Sequence, residues 1–150
     1  MPKVNLDDLP TYDGQDAAAA FIGGLGPCVG HAISKHHGLD NLGVNIETLM
    51  PGARSSHRHW HDKNDEVVVV LLGELVLLEE DGTTRLTAGD VAVFPAGAEN
   101  GHCLENRTSS KAAFLVVGSK ISGDRCFYAD ADLVLQPDGS LTRRDGSSLR

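Results

Sequence analysis

Residues 52–73 read GARSSHRHWHDKNDEVVVVLLG, and this stretch decides the fold. His59 and His61 are two positions apart. Alternate side chains of a β-strand lie on the same face, so both imidazoles are expected to point one way and Trp60 the other. Glu66 opens the apolar run that follows, where an unpaired buried carboxylate would be costly unless it binds a metal or a partner. The stretch therefore predicts two strands that carry metal ligands.

A second stretch, residues 89–106, reads GDVAVFPAGAENGHCLEN and places one more histidine on a later strand. We expect His102 to close the site formed by His59, His61 and Glu66. Three neutral imidazoles and one carboxylate suit Fe, Mn, Ni, Cu or Zn. The sequence thus predicts one divalent transition metal per chain and leaves the identity of that metal open.

Short strands separated by turn residues surround both stretches. Apolar and β-branched residues predict strands at 44–49, 66–72, 74–80, 83–87, 91–94, 102–105, 111–117, 126–128 and 133–135. Both faces of the strand 66–72 are apolar, so we expect it to be buried on both sides. Short strands at this spacing indicate an all-β sandwich or barrel.

The barrel is expected to span residues 41–136 of a single domain. Residues 1–40 are expected to form a less regular N-terminal arm that packs on the barrel. One short helix is predicted there from Gln15 to Ile22, because several glycines follow it. Residues 137–150 form a polar tail that is expected to lie on the surface or to fray.

The first stretch resembles the first sequence motif of the cupins, which are small jelly-roll barrels built from two sheets. That motif runs glycine, a spacer, His-x-His, three or four residues, glutamate, six residues and glycine. It matches this chain at Gly52, His59, His61, Glu66 and Gly73. Moving the histidine pair back by two positions fits worse, because six residues would then precede the glutamate.

The second stretch resembles the second cupin motif, which runs glycine, five residues, Pro-x-Gly, a spacer, histidine, three residues and asparagine. It matches at Gly89, Pro95, Gly97, His102 and Asn106. The likeness is to small single-domain bacterial cupins, most of which have unknown function. It implies a double-stranded β-helix fold and a homodimer, because such cupins commonly pair. It also implies one Fe, Mn, Ni or Zn ion bound by four residues: His59, His61, Glu66 and His102.

Composition and charge exclude several classes of partner. The formal net charge of −8 argues against nucleic-acid binding and against docking on an anionic membrane. Cys28, Cys103 and Cys126 are odd in number and widely spaced, which favours free thiols in a reducing cytoplasm. The acidic start of the chain is unlike a signal peptide. We therefore expect a cytoplasmic protein whose partner is a small molecule.

Two residues near the ligands are weak catalytic candidates. His57 shares strand parity with His59 and is expected at the mouth of the pocket. Glu99 lies in the loop before His102, where a carboxyl group can serve as a general acid or base. Three residues that flank the motifs are candidates for holding an anionic substrate: Arg54, Arg58 and Arg107.

Other residues receive structural roles. Trp60 is expected to pack on the outer face of its sheet, and Cys103 to point away from the metal as a small core residue. Asn106 is expected to fix the loop near His102, with orientation of that imidazole as the alternative. Three histidines are interpreted as ordinary surface or core residues: His31, His36 and His37.

Three classes of function are compatible with this site. In the first, the metal acts as a Lewis acid in isomerisation, epimerisation or elimination on a small oxygen-rich molecule such as a sugar derivative. In the second, Fe(II) binds substrate and O₂, and the protein is a dioxygenase. In the third, the barrel binds or senses a small molecule without turnover. The polar residues around the motifs and the low aromatic content of 5% favour the first.

Overall fold

The computed structural model describes residues 3–149, and most of its regular structure is β-strand. The helices are short: a 3-10 helix at Leu6–Asp8 and two α-helices, α1 (Ala19–Ile22) and α2 (Ile33–His37). The strands are β1 (Thr11–Asp13), β2 (Cys28–Ala32), β3 (Leu42–Leu49), β4 (His59–His61), β5 (Glu66–Leu72), β6 (Glu74–Glu79), β7 (Gly82–Thr87), β8 (Val91–Phe94), β9 (Cys103–Glu105), β10 (Ala112–Ser119), β11 (Cys126–Tyr128), β12 (Leu133–Leu135) and β13 (Leu141–Thr142). The prediction of an all-β fold is confirmed.

The strands form three sheets, and two of them enclose the main apolar core. A six-stranded sheet has the order β1-β2-β3-β10-β5-β8, a four-stranded sheet the order β13-β12-β11-β4, and a three-stranded sheet the order β7-β6-β9. Leu49, Val70 and Phe114 of the six-stranded sheet are buried in the same apolar cluster as Leu75 and Leu77 of β6. Burial of these side chains holds the two sheets face to face.

The first 40 residues contain strands that the sequence did not reveal. β1 pairs with β2, and β2 pairs with β3, so this segment extends the six-stranded sheet. The predicted helix is reduced to α1, which begins at Ala19. The side chains before α1 hydrogen-bond to loop backbone. Gln15 Oε1 accepts from the amide of Leu25, and the Asp16 carboxylate accepts from the amides of Ala18 and His57.

The strand β5 is buried on one face only, which differs from the prediction. Val68 and Val70 are buried, whereas Leu71 and Leu72 are each 47% exposed. The second face belongs to the outer surface of the six-stranded sheet. On the neighbouring strand β8, Val91 and Val93 are 57% and 63% exposed. An apolar outer face therefore accounts for the continuous run of aliphatic residues in β5.

The C-terminal tail lies on the surface, where strand pairing holds it to the rest of the fold. β13 pairs with β12, and Leu141 and Leu149 pack on a small apolar cluster that includes Tyr128 and Leu133. The two leucines of the polar tail supply the burial that holds it in place. None of the described helices is long and apolar enough to cross a membrane.

The homodimer stays a prediction, and the outer face of β5 and β8 is where we expect it to form. Val93→Asp places a charge in the middle of this face and should leave a single chain of 15.9 kDa in solution, while the native protein scatters light as two chains. Phe21→Ser, which changes an exposed residue of α1, is the control and should remain dimeric. A native protein that is monomeric at micromolar concentration would contradict the prediction.

Candidate metal centre

The pairing of β4 with β11 sets the direction of the two alternating histidines. His61 lies opposite Cys126, and His59 lies opposite Tyr128. Between them, Trp60 stacks on Phe127 with 4.2 Å between ring centroids and an interplanar angle of 8°. The aromatic stack thus occupies one face of this sheet, and His59 and His61 are directed to the opposite face, as their alternation predicts.

A backbone bridge brings His102 beside His59. The two residues exchange amide-to-carbonyl hydrogen bonds of 3.2 and 3.0 Å, and their ring centroids are 4.9 Å apart. Glu66, at the start of β5, points between them. Its Oε2 lies 3.0 Å from Nε2 of His102 and 3.9 Å from Nε2 of His59. Three side chains from distant parts of the sequence therefore converge on one point.

The tautomer of His59 follows from its hydrogen bonds. Its Nδ1 lies 2.9 Å from the backbone carbonyl oxygen of His57 and 3.1 Å from Oγ of Ser56. A carbonyl oxygen can only accept, so Nδ1 carries the proton and Nε2 presents a lone pair. That lone pair is directed towards the Glu66 carboxylate. Two acceptors face each other across 3.9 Å, an arrangement that a cation between them would stabilise.

His61 is oriented by a carboxylate. Its Nδ1 donates to Oδ2 of Asp124 at 2.6 Å, so in the neutral imidazole Nε2 presents the lone pair that can serve as a ligand. Asp124 is fixed in turn, because its two oxygens also accept from the amides of Lys63 and Asn64 and from the Asn64 side chain. Such carboxylate–histidine pairs commonly hold metal ligands in place.

His102 is oriented by stacking. Its ring lies on Phe94 with 3.5 Å between centroids and an interplanar angle of 4°. The Nδ1 atom is buried and has no hydrogen-bond partner among residues 3–149. The stack on Phe94 and the backbone bridge to His59 therefore fix the position of the ring. The polar contact of the ring with the cluster is made by Nε2, which lies 3.0 Å from Oε2 of Glu66.

The charges of the cluster suit a cation. Burial lowers the pKa of His59 to about 4, so this imidazole is neutral at neutral pH. Burial, the largest single cause, would raise the pKa of Glu66, but the hydrogen bond from His102 and the charges of the three surrounding imidazoles together outweigh it, and the pKa falls to about 2. The site thus combines a carboxylate with unprotonated imidazole nitrogen, which is the donor set that divalent transition metals prefer.

The structure divides the candidate ligands into two overlapping groups. In one, the ligand atoms of His59, Glu66 and His102 lie within 4.8 Å of one another, and in the other those of His59, His61 and Cys126 do. His59 belongs to both. Three of the four predicted ligands thus form one group, and Asp124 holds His61 beside Cys126.

Cys126 is the neighbour that the sequence reading missed. Its position in the sequence carries no spacing signal, because only the pairing of β11 with β4 places it opposite His61. Burial, with the charges of Asp124 and Glu66 adding to it, raises the pKa of the Cys126 thiol. A protonated thiol is a poor metal ligand compared with an imidazole lone pair.

A cavity of about 180 Å³ adjoins the cluster. His59, Glu66 and His102 line it together with the apolar side chains of Phe94 and Phe114. Its remaining polar lining is rich in oxygen and amide groups: Asn45, Glu47, Ser55 and Ser56. The cavity offers space for a small polar molecule in contact with the candidate ligands.

Strand parity predicts His57 at the pocket mouth, but the structure places it elsewhere. β4 begins only at His59, so His57 lies in the preceding irregular segment, where parity does not apply. Its side chain is buried, and Nδ1 binds both oxygens of Asp16 at 2.9 and 3.0 Å. His57 therefore anchors the N-terminal arm, and its carbonyl group orients His59.

Glu99 is exposed and lies apart from the cluster. Its neighbours Ala98 and Asn100 line a small cavity of about 50 Å³ beside His61 and His102, but Glu99 does not. The loop turns the Glu99 side chain to solvent. The structure thus gives no support to Glu99 as a general acid or base.

The three arginines proposed to hold an anion are occupied by carboxylates. Arg54 and Arg107 both pair with Glu105. Arg58 pairs with Asp130 at 2.5 Å and with Glu80 at 3.1 Å. The cavities at the ligand cluster have other linings, so these arginines stabilise loops instead.

Asn106 fixes a loop, which was the first of its two expected roles. Its Nδ2 donates to the carbonyl groups of Leu49 and Ser110, and its Oδ1 accepts from the amide and hydroxyl of Thr108. It makes no hydrogen bond to His102. Cys103 is buried and belongs to neither candidate ligand group. The three histidines interpreted as ordinary residues also belong to neither group: His31, His36 and His37.

The chain matches a known family by sequence and by structure. The family described as "Cupin domain" matches residues 45–118. A sugar phosphate isomerase of the cupin superfamily from Silicibacter pomeroyi is 38% identical, with a TM-score of 0.87 over 99% of this chain and 97% of that one. None of the curated proteins matches.

Two further solved structures share the fold. A protein from Acidithiobacillus ferrooxidans, provisionally named a sugar phosphate isomerase, is 25% identical, with a TM-score of 0.76 over 87% of this chain and 83% of that one. The polyketide cyclase RemF from Streptomyces resistomycificus is 20% identical, with a TM-score of 0.63 over 79% of each chain. The second of these likenesses concerns the fold alone.

The double variant His59→Ala/His61→Ala should bind no divalent metal, because it removes two of the four candidate ligands from one strand face. Elemental analysis of purified protein measures this, with one metal ion per native chain expected. His57→Ala is the internal comparison and should keep its metal, since the backbone carbonyl that orients His59 remains. Loss of metal from His57→Ala but not from His61→Ala would contradict the ligand assignment.

Asp124→Asn should weaken metal binding about 10-fold or more, because it removes the charged acceptor that orients His61. Competition with a chelator of known affinity measures the change. Asp81→Asn, in an exposed turn, is the matched control and should behave as the native protein does. Equal metal affinity in both variants would show that Asp124 has no part in the site.

Proposed function

The chain belongs to the cupin superfamily, and we propose that it is a metal-dependent enzyme that isomerises a small oxygen-rich molecule of the sugar phosphate class. The observation that carries the proposal is the convergence of the His59 and His102 Nε2 atoms on one carboxylate oxygen of Glu66, in the wall of a polar cavity. The proposed ligands are His59, His61, Glu66 and His102.

The metal would be held by the three imidazoles and the carboxylate, and when bound it supplies a Lewis acid that polarises a carbonyl group. The chain's own groups do the rest. Asp124 and the carbonyl of His57 hold the imidazoles, while Phe94 and Phe114 form an apolar wall of the cavity that restricts water. Asn45 and the serines of the lining are placed to bind hydroxyl groups of the substrate.

The substrate class rests on similarity and on one basic residue. The Silicibacter pomeroyi protein is named a sugar phosphate isomerase and aligns over nearly the whole of both chains. In this chain, Lys120 lines an open cleft that His61 also lines. Ser122 and Asn64 lie in the same cleft. The Lys120 ammonium donates to the Leu39 carbonyl at 3.1 Å and keeps further N–H donors, so that with the Ser122 hydroxyl it is suited to a phosphate group at the mouth of the site.

Isomerisation should proceed without O₂. We expect the Mn, Ni, Zn or Fe(II) form of the protein to interconvert an aldose phosphate and a ketose phosphate anaerobically, in a screen of tetrose, pentose and hexose phosphates followed by NMR. His59→Ala/His61→Ala is the inactive control. Turnover that requires Fe(II) and consumes O₂ in proportion to product would contradict the proposal and identify a dioxygenase. Binding without turnover by every metal form would identify a binding module.

Lys120→Ala should raise KM for the phosphorylated substrate about tenfold, because it removes a charged hydrogen-bond donor, and should leave KM for the unphosphorylated sugar unchanged. Steady-state kinetics on the two sugars measures the difference. Lys111→Ala, in the loop before β10, removes an equal charge away from the cleft and is the control. Equal effects of Lys120→Ala on both sugars would contradict a phosphate-binding role.

A further inference from the structure

One row of residues crosses the six-stranded sheet and ends in the cavity. Tyr12 on β1 lies opposite Gly30 on β2, Gly30 lies opposite Glu47 on β3, and Glu47 lies opposite Phe114 on β10. A Cβ atom on Gly30 would overlap the Tyr12 ring, so the glycine lets this ring lie across β2. The Tyr12 hydroxyl then donates to Oε1 of Glu47 at 2.7 Å.

Glu47 faces the same cavity as the candidate metal ligands. The cavity lining includes Glu47 together with His59, Glu66 and His102. The second oxygen of Glu47, Oε2, makes no hydrogen bond to the residues between 3 and 149, so it is free to contact a molecule in the cavity. Within this lining, Glu47 is the one carboxyl group outside the ligand set.

We propose that Glu47 is the general base of the site and that Tyr12 is its positioning residue. This inference rests on the isomerisation proposed above. The Glu47 carboxylate takes the proton from the hydroxyl-bearing carbon next to the carbonyl group. The C–H bond breaks, an O–H bond forms on Glu47, and the electron pair passes through the new C=C bond to the carbonyl oxygen.

The second half of the reaction returns the proton. The Glu47 carboxylic acid gives it to the former carbonyl carbon, the hydroxyl proton passes between the two substrate oxygens, and the carbonyl group forms on the neighbouring carbon. Atoms and charge balance without an oxidant or a reductant. Glu47 ends as the carboxylate with which it began.

The buried surroundings of Glu47 make its carboxylate a stronger base. Burial raises the pKa of Glu47, the hydrogen bond from Tyr12 lowers it, and the charge of Glu66 raises it. A carboxylate with a raised pKa is a stronger base than an exposed one. The titratable groups that face Glu47 from the elements around it are Tyr12, Cys28, Glu66, His59 and His102.

Tyr12 acts on Glu47 through one hydrogen bond, so removing that bond should shift the pKa of Glu47 in a known direction. Tyr12→Phe removes a donor that favours the ionised carboxylate, so the pKa of Glu47 should rise. The ascending limb of the pH–rate profile should then move to higher pH. A purely structural role of Tyr12 would lower the rate at every pH and leave the limb in place.

The decisive variant is Glu47→Gln, which keeps an acceptor for Tyr12 and removes the base. We expect turnover of the sugar phosphate isomerised by the native protein to fall about 100-fold or more, with metal content and substrate affinity within a few-fold of native. In D₂O, a fraction of the native product should carry deuterium at the carbon that receives the proton, because the Glu47 carboxylic acid can exchange its proton with solvent before returning it. Glu74→Gln, at the half-buried start of β6 and outside the cavity lining, is the matched control and should isomerise at the native rate.

A readout that needs no turnover accompanies the kinetics. In protein labelled with ¹³C at the glutamate carboxyl carbon, Glu47→Gln should remove one resonance whose titration midpoint lies above the ordinary value of 4.5. Tyr12→Phe should move that midpoint further up. Gly30→Ala, which displaces the Tyr12 ring, should reproduce the shift.

The possible results separate this inference from the proposed function. Native-like turnover by Glu47→Gln, or a Glu47 midpoint at or below 4.5, overturns the role of Glu47 while isomerisation stands. An unmoved ascending limb in Tyr12→Phe overturns the positioning role. A native protein that isomerises no sugar phosphate overturns the proposed function and, with it, the base.

Discussion

The site depends on a carboxylate buried among imidazoles. Glu66 is ionised, His59 is neutral, and the lone pair of His59 Nε2 is directed at the carboxylate across 3.9 Å. Such a contact is unfavourable in a desolvated space unless a positive charge lies between the two atoms. A divalent cation satisfies all of these groups at once. The proposed cation would explain why an acid can open an otherwise apolar strand.

Much of the surrounding fold serves to hold these donors. β4 lies between the bridge to His102 on one side and β11 on the other, so its two histidines have little freedom. Each ring is fixed by a different means: a backbone carbonyl for His59, a carboxylate for His61 and an aromatic stack for His102. The N-terminal segment contacts the same region twice. Asp16 hydrogen-bonds to His57, and Tyr12 hydrogen-bonds to Glu47.

The sequence predicts the strands of the barrel and the candidate ligands because their signals are local. Alternation of His59 and His61, the apolar run after Glu66 and the turn residues between strands all lie within a few positions of one another. What the sequence does not predict depends on pairing across long separations. Cys126 and Glu47 carry no pattern of their own, and only the register of β11 and β3 brings them to the site.

The errors have the same origin. The alternation of side chains in a strand predicts His57 at the pocket mouth. That alternation holds only inside a strand, and β4 begins two residues after His57. Arg54 and Arg58 looked free in the sequence, yet distant carboxylates neutralise them. In each case a contact made through the fold outweighed the composition of the local segment.

The central claim is that imidazole nitrogen and carboxylate oxygen, without sulfur, hold a metal ion in this barrel. X-ray absorption spectroscopy of the metal in protein purified from native expression tests it most directly. The account predicts a first shell of nitrogen and oxygen with the multiple-scattering signature of three imidazoles, unchanged in Cys126→Ser. A sulfur neighbour that disappears in Cys126→Ser, or a shell with a single imidazole, would contradict it.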